Sequence, residues 1–205
     1  MRSSSKPCNG PIPHLGFSLI ELMVVMGVLG ILLTVAAPAF VNLVRDNRLL
    51  SEVYGLRAAL NNARTEALTQ RSFVTVCESD DGASCADTGN DWNKGYIAFT
   101  DFDGDGVLDP NGPRGDAIVQ SRVLDNETLT ITYTNTNGEN RVRFDSRGNA
   151  LNFGGTMKMC DDRDDASKAR GIVISNLGSV QALVDSDNPK DGIVNIQGGG
   201  NVTCP

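Results

Sequence analysis

Three sets of residues in this chain have types and spacings that could do chemistry. Asp101, Asp103, Asp105 and Asp109 occupy positions 1, 3, 5 and 9 of a calcium-type loop, with Gly106 at position 6. The bidentate acid expected at position 12 is missing, since Gly112 stands there, and no helix pattern flanks the stretch. A polar Asp-Gly turn accounts for the same residues, so calcium is the one cofactor to consider and none is required. Cys77, Cys85, Cys160 and Cys204 form an even set. In an exported domain such a set reads as two disulfides, and the gaps are too long for the close pairs of a structural zinc site. Of three possible pairings, Cys77 with Cys85 would close a local loop and Cys160 with Cys204 would pin the C-terminus. The third set is a single carboxylate, Glu21, inside an otherwise apolar run.

Other chemistry is excluded by what is absent. The single histidine, His14, lies before Gly16. A chain cut after Gly16 would hold no imidazole, which removes Ser-His-Asp catalysis, Cys-His nucleophiles and His-ligated zinc. The acids Asp161, Asp162, Asp164 and Asp165 have no visible base or nucleophile beside them and read as a solvated loop. No enzyme is expected. The same cut removes Arg2, Lys6 and Cys8, leaving 16 Lys and Arg against 25 Asp and Glu, a net charge of −9. Such an acidic head does not attract a polyanion by bulk charge.

Glu21 has to be positioned by the segment Phe17–Phe40, whose 24 residues span about 36 Å as a helix at about 1.5 Å per residue. That length crosses a bilayer core. A carboxylate there costs on the order of 2.5 to 3.5 kcal/mol to insert and normally has a partner. A cut between Gly16 and Phe17 would create an α-amino group four residues before Glu21, and the same group on a neighbouring subunit could pair with it. A secretory signal peptide cut near Ala37-Pro38-Ala39 gives Glu21 no such role. Pro38 removes a helix hydrogen bond and should bend the helix.

The stretch Gly16-Phe17-Ser18-Leu19-Ile20-Glu21-Leu22 resembles the type III signal of type IV pilins and type II secretion pseudopilins. The resemblance implies that a prepilin peptidase cuts between Gly16 and Phe17 and methylates Phe17. It also implies that Glu21 guides docking into a filament and that Pro38 is the stem proline.

Beyond Phe40, Val53, Leu56, Leu60, Ala63 and Ala67 recur at spacings of three and four, marking the apolar face of a helix to about Arg71. Arg57, Arg64 and Arg71 repeat at seven on a neighbouring stripe. They read as a solvated face, or more sharply as contacts to acidic surfaces of adjacent subunits. From Ser72, runs rich in Val, Ile, Thr, Phe and Tyr predict strands at 72–77, 95–100, 117–124, 128–134, 141–145, 156–160, 170–175 and 179–184. Asn137-Gly138 reads as a hairpin turn between the fourth and fifth strands, and Arg147-Gly148-Asn149 and Asn176-Leu177-Gly178 as later turns. The expected organisation is a leader at 1–16, a transmembrane or filament-core helix at 17–40, its amphipathic continuation at 41–71, and a β-rich head at 72–205. This is an α+β fold in which a long N-terminal helix packs on an antiparallel head.

The head resembles the family joining pseudopilin H of type II secretion with the minor pilins FimT and FimU. The resemblance rests on Ala63-Arg64-Thr65-Glu66-Ala67, Val76-Cys77, Trp92, Gly95-Tyr96-Ile97, Phe99-Thr100-Asp101 and Ala169-Arg170-Gly171-Ile172. It implies a type IV pilin-like fold and a minor pilin at or near a pilus tip that primes assembly, with an H-type minor pseudopilin as the alternative. The expected partners are other minor and major pilins or pseudopilins, the prepilin peptidase and the bacterial inner membrane, with the head in the periplasm. FimT-type members carry a Gly-Arg-x-Arg motif for DNA. The matching stretch here, Gly178-Ser179-Val180-Gln181, lacks both arginines, so DNA binding is the least expected role.

Overall fold

The structure is a computed structural model describing residues 16–86, 92–124, 128–196 and 198–204. The leader residues before Gly16, including Cys8 and His14, lie outside the described residues. The chain divides after Leu43 into two units, Met1–Leu43 and Val44–Pro205. One helix, α1 (Leu19–Gln70), begins in the first and ends in the second. In the first unit every described residue is exposed, apolar ones included, and the helix is long and apolar enough to cross a membrane. The helix continues through Pro38.

From Val44 onward the helix becomes amphipathic. Leu49, Val53, Leu56, Leu60, Ala63 and Ala67 alternate at four and three residues and are all buried, as is Ala59. The small side chains at 59, 63 and 67 belong to the core shared with the sheets. Arg71, in the left-handed region at φ 51°, ends the helix.

Among the described residues eight strands follow: β1 (Phe73–Glu78), β2 (Gly95–Asp101), β3 (Ile118–Val123), β4 (Leu129–Asn135), β5 (Val142–Phe144), β6 (Gly155–Asp161), β7 (Arg170–Ile174) and β8 (Val180–Ala182). They lie where the sequence places them, within a residue or two at each end. All pairings are antiparallel, in two four-stranded sheets ordered β3-β2-β1-β5 and β4-β6-β7-β8. The expected hairpin at Asn137-Gly138 is not one. β4 pairs with β6, and β5 crosses to the other sheet, where Val74 faces Phe144. A turn motif fixes only the local reversal. Burial of Val142 and Phe144 against the helix decides which sheet receives the next strand.

The main core joins the buried helix face to Val74, Val76, Val142 and Phe144 of the first sheet and to Ile131, Tyr133, Met157, Met159, Ile172 and Ile174 of the second. The far face of the first sheet, Cys77, Ile97 and Phe99, is covered by Cys85 and Leu108 from two loops. This explains why β2 is buried at all seven positions. On the second sheet, Cys160, Ala169 and Leu183 are covered by Val194, Val202 and Cys204 of the C-terminal strap.

Candidate functional site

The N-terminal signal is built on the first turn of α1. Ser18 precedes the helix and caps it: the Glu21 amide donates to Ser18 Oγ at 3.4 Å, and the Leu22 amide to the Ser18 carbonyl at 3.1 Å. Ser18-Leu19-Ile20-Glu21 is thus a capping-box sequence, a signal readable in the chain beside the docking reading of Glu21. Phe17 and Glu21 are both exposed, as is Gly16.

In the second unit, the helix is tied to the sheets by charge. Arg163 is the hub: its guanidinium donates to both oxygens of Asp161 and, at 2.6 Å, to Asp46 of the helix. Arg45 pairs with Asp162 at 3.1 Å. Arg122 of β3 grips both oxygens of Glu52 at 2.7 and 2.9 Å. The acid run at 161–165 is therefore not a solvated loop throughout, because Asp161 is buried and neutralised. Burial is the largest single influence on Asp161 and would raise its pKa, yet the bonds from Arg163 together outweigh it and hold the carboxyl below its ordinary value.

Arg64 is likewise not a free basic face. Its Nε donates to the Gly148 carbonyl at 2.9 Å and its Nη2 to that of Leu177 at 3.3 Å, stitching two turns to the helix. Those turns touch so closely that a Cβ on Gly178, at φ 76°, would lie 1.9 Å from the Gly148 oxygen. Arg45, earlier on the same helix, is also engaged within the chain through Asp162, so of the stripe Arg57, Arg64 and Arg71 the structure ties down Arg64. At the stretch compared with the DNA motif, Ser179 donates its amide to Ser175 Oγ, and Gln181 is exposed.

The structure brings Asp101, Asp103 and Asp105 together, with carboxylate oxygens all within 4.8 Å of one another; Asp109 is not in that group. Each acid is already employed by its own loop. Asp101 accepts from Thr75 Oγ1 at 2.7 Å and from the amides of Gly104 and Gly106 at 2.7 and 3.1 Å. Asp103, Asp105 and Asp109 each accept the amide two residues on. Burial pushes the Asp101 carboxyl up in spite of its bonds. Asp116, buried nearby, takes the amides of Phe102 and Asp109, so the loop is folded on two inward acids. A second acidic group, Asp185, Asp187 and Asp191, lies in the C-terminal strap.

The cysteines pair as Cys77–Cys85 and Cys160–Cys204. The first holds a loop over the outer face of β1 and β2, and the second clamps the strap to β6.

A capped apolar helix bearing one early carboxylate, continued into a head of two antiparallel sheets, defines a membrane-anchored subunit of the pilin class. The model of the prokaryotic N-terminal methylation motif matches residues 14–37, and that of type II transport protein GspH matches residues 53–178. The latter spans more than half of the sequence, and the chain belongs to the GspH family. Pilin-like protein PilA1 of Thermus thermophilus is 26% identical over 185 residues, which are 89% of this chain and 94% of that protein. The minor pilin FimU of Pseudomonas aeruginosa superposes with a TM-score of 0.51 at 22% identity, covering 69% of this chain and 92% of its own, which establishes the pilin fold. The minor pseudopilin EpsH of Vibrio cholerae superposes at 0.44 and 11% identity, covering 66% and 96%. The protein is thus a structural pilin or pseudopilin subunit and not an enzyme.

The family landmarks now have physical reasons. Ala63 and Ala67 are contact points of the helix with the sheets, and Arg64 between them holds two turns. Trp92 fills the core. Gly95 and Gly171 sit where a Cβ would come within 2.3 and 2.4 Å of a carbonyl oxygen on the neighbouring strand.

Proposed function

We propose that this protein is a minor pilin that sits at or near the tip of a type IV pilus and helps to prime its assembly. The observation that carries the reading is the combination of a prepilin signal with a GspH-type head in one chain, supported by the similarity to a pilin-like protein along 89% of its length. In this reading the peptidase cuts between Gly16 and Phe17 and methylates Phe17. The helix then anchors the chain in the inner membrane with the head in the periplasm. Glu21 pairs with the α-amino group of a neighbouring subunit in the filament, since a carboxylate among apolar side chains is stabilised by a positive partner. Pro38 loosens the helix where it leaves the bilayer. A second reading, an H-type minor pseudopilin of type II secretion, is favoured by the name of the matching family and uses the same steps. DNA capture has the least support, because Ser179 and Gln181 stand where that role needs arginines.

Deletion in the native host separates the two readings. The pilus reading expects few or no surface pili with secretion intact, and restoration by the wild-type gene but not by Glu21→Ala. Lost secretion with normal pili would transfer the protein to the secretion machine. Intact mass of the membrane-extracted protein should match Phe17–Pro205 plus one methyl group less four hydrogens.

A further inference from the structure

The four sheet edges are not alike. β5 and β8 are three residues long, and β4 has its Ile131 amide bonded to the Asn93 side chain. β3 is six residues long, has a strand on one side only among the described residues, and is buried at none of its positions. Ile118, Val119 and Val123 are exposed, Val123 by 57%. Its one charged side chain, Arg122, is turned back onto Glu52. Among the described residues two features blunt this edge: a register shift opposite Ala98 and Phe99, where Val119 is the extra residue, and the loop at Gly82, whose carbonyl accepts from Ser121 Oγ at 2.8 Å on one face of the strand and leaves the outward amides and carbonyls of the backbone open. The Leu124 amide donates to Lys94 across the pair with β2. By the period of two, the amides and carbonyls of Ser121 and Val123 point away from β2 and out of the sheet.

We propose that this edge pairs antiparallel with β3 of a second copy of the chain, in a register centred on Ser121. The sequence Val119-Gln120-Ser121-Arg122-Val123 is self-complementary in that register. Val119 lies opposite Val123 of the second copy and Gln120 opposite its Arg122, each twice, and Ser121 faces its own equivalent. Exposed apolar side chains cover one another and no like charges meet, as an isologous contact requires. Two four-stranded sheets become one of eight strands.

The test uses the full chain in detergent, followed by light scattering across a dilution series and by cross-linking. Val123→Pro removes an outward amide without touching the ladder to β2, and Val123→Lys charges the apolar pair. Ser121→Cys places two thiols on the two-fold axis, where Cα atoms of a hydrogen-bonded pair are about 5.5 Å apart, within disulfide range. The expected result is a dimer whose dissociation constant rises at least tenfold in Val123→Pro and in Val123→Lys, with thermal melting little changed in at least one of them. Air oxidation of Ser121→Cys should yield a dimer with a 121–121 cross-link by peptide mapping. A wild-type chain that stays monomeric overturns the proposal and leaves the edge to a strand of a different subunit. A dimer undiminished by both substitutions, without the cross-link, also overturns it, since the apolar helices then hold it.

Discussion

The guanidinium of Arg163 on the loop after β6 lies 2.6 Å from the carboxylate of Asp46 on the helix, while the same group neutralises the buried Asp161. The side chain of Arg163 is 13% exposed and that of Asp161 5%, so this pair is largely dehydrated, while Asp46 at 39% meets solvent. Arg163→Met should destabilise the head by on the order of 3 kcal/mol, because Asp161 would stay buried without its cation. The pH dependence fixes the sign. With its folded pKa depressed, Asp161 contributes stability above the ordinary carboxylate range that is lost as pH falls through the lower folded value. In the variant the guanidinium no longer opposes burial, and only the residue-163 amide and Arg45 still do, so that pKa rises and the gap between the two proteins should narrow on acidification from pH 7 to about 4. Urea titrations at both pH values measure it, and a gap independent of pH would contradict this pairing.

Tyr133 is buried, donates its hydroxyl to the Phe153 carbonyl at 2.5 Å, and has its pKa pushed up to about 12 by burial. Tyr133→Phe should cost about 1 kcal/mol at neutral pH. Above pH 10 the unfolded chain loses this proton while the folded one keeps it, so wild-type stability falls as pH rises towards 12. The variant should lose part of that alkaline decline, by up to about 2.7 kcal/mol for two pKa units. Melting temperatures at pH 8 and 11 for both proteins provide the comparison.

The two disulfides close very different loops, 8 and 44 residues apart in sequence. If chain entropy dominates, removing them as alanine pairs costs about 2.5 kcal/mol for Cys77 and Cys85 and about 4 kcal/mol for Cys160 and Cys204. The second change should also release the strap, whose own core contacts are few, so limited proteolysis should begin beyond Val184. Equal costs, or cleavage elsewhere first, would argue against the clamp.

The acidic loop after β2 should hold its shape without a cation. Both oxygens of Asp101 already accept hydrogen bonds from inside the fold, which a cation would have to displace. Millimolar calcium or a chelator should leave the melting temperature unchanged, while Asp101→Asn should lower it by several degrees in either condition, since its amide would face the Gly106 donor. A saturable calcium-induced rise, lost in Asp103→Asn, would establish a metal loop instead.

What the sequence determined by itself was everything written in short-range pattern. The apolar run with Glu21, the three-four spacing from Val53 to Ala67 and the alternating strands each follow from residues within a turn or two of one another, and the even set of cysteines follows from a count. Only the tertiary structure decided which strands share a sheet, and so made Asn137-Gly138 a crossover rather than a hairpin. It turned Arg64, Arg122 and Arg163 from surface charges into internal ties across separations of 70 to 117 residues. The physical reason is that a charge pattern carries no partner. An arginine on a helix stripe looks the same whether water or a distant carbonyl meets it, and burial of the apolar faces brings that carbonyl within reach.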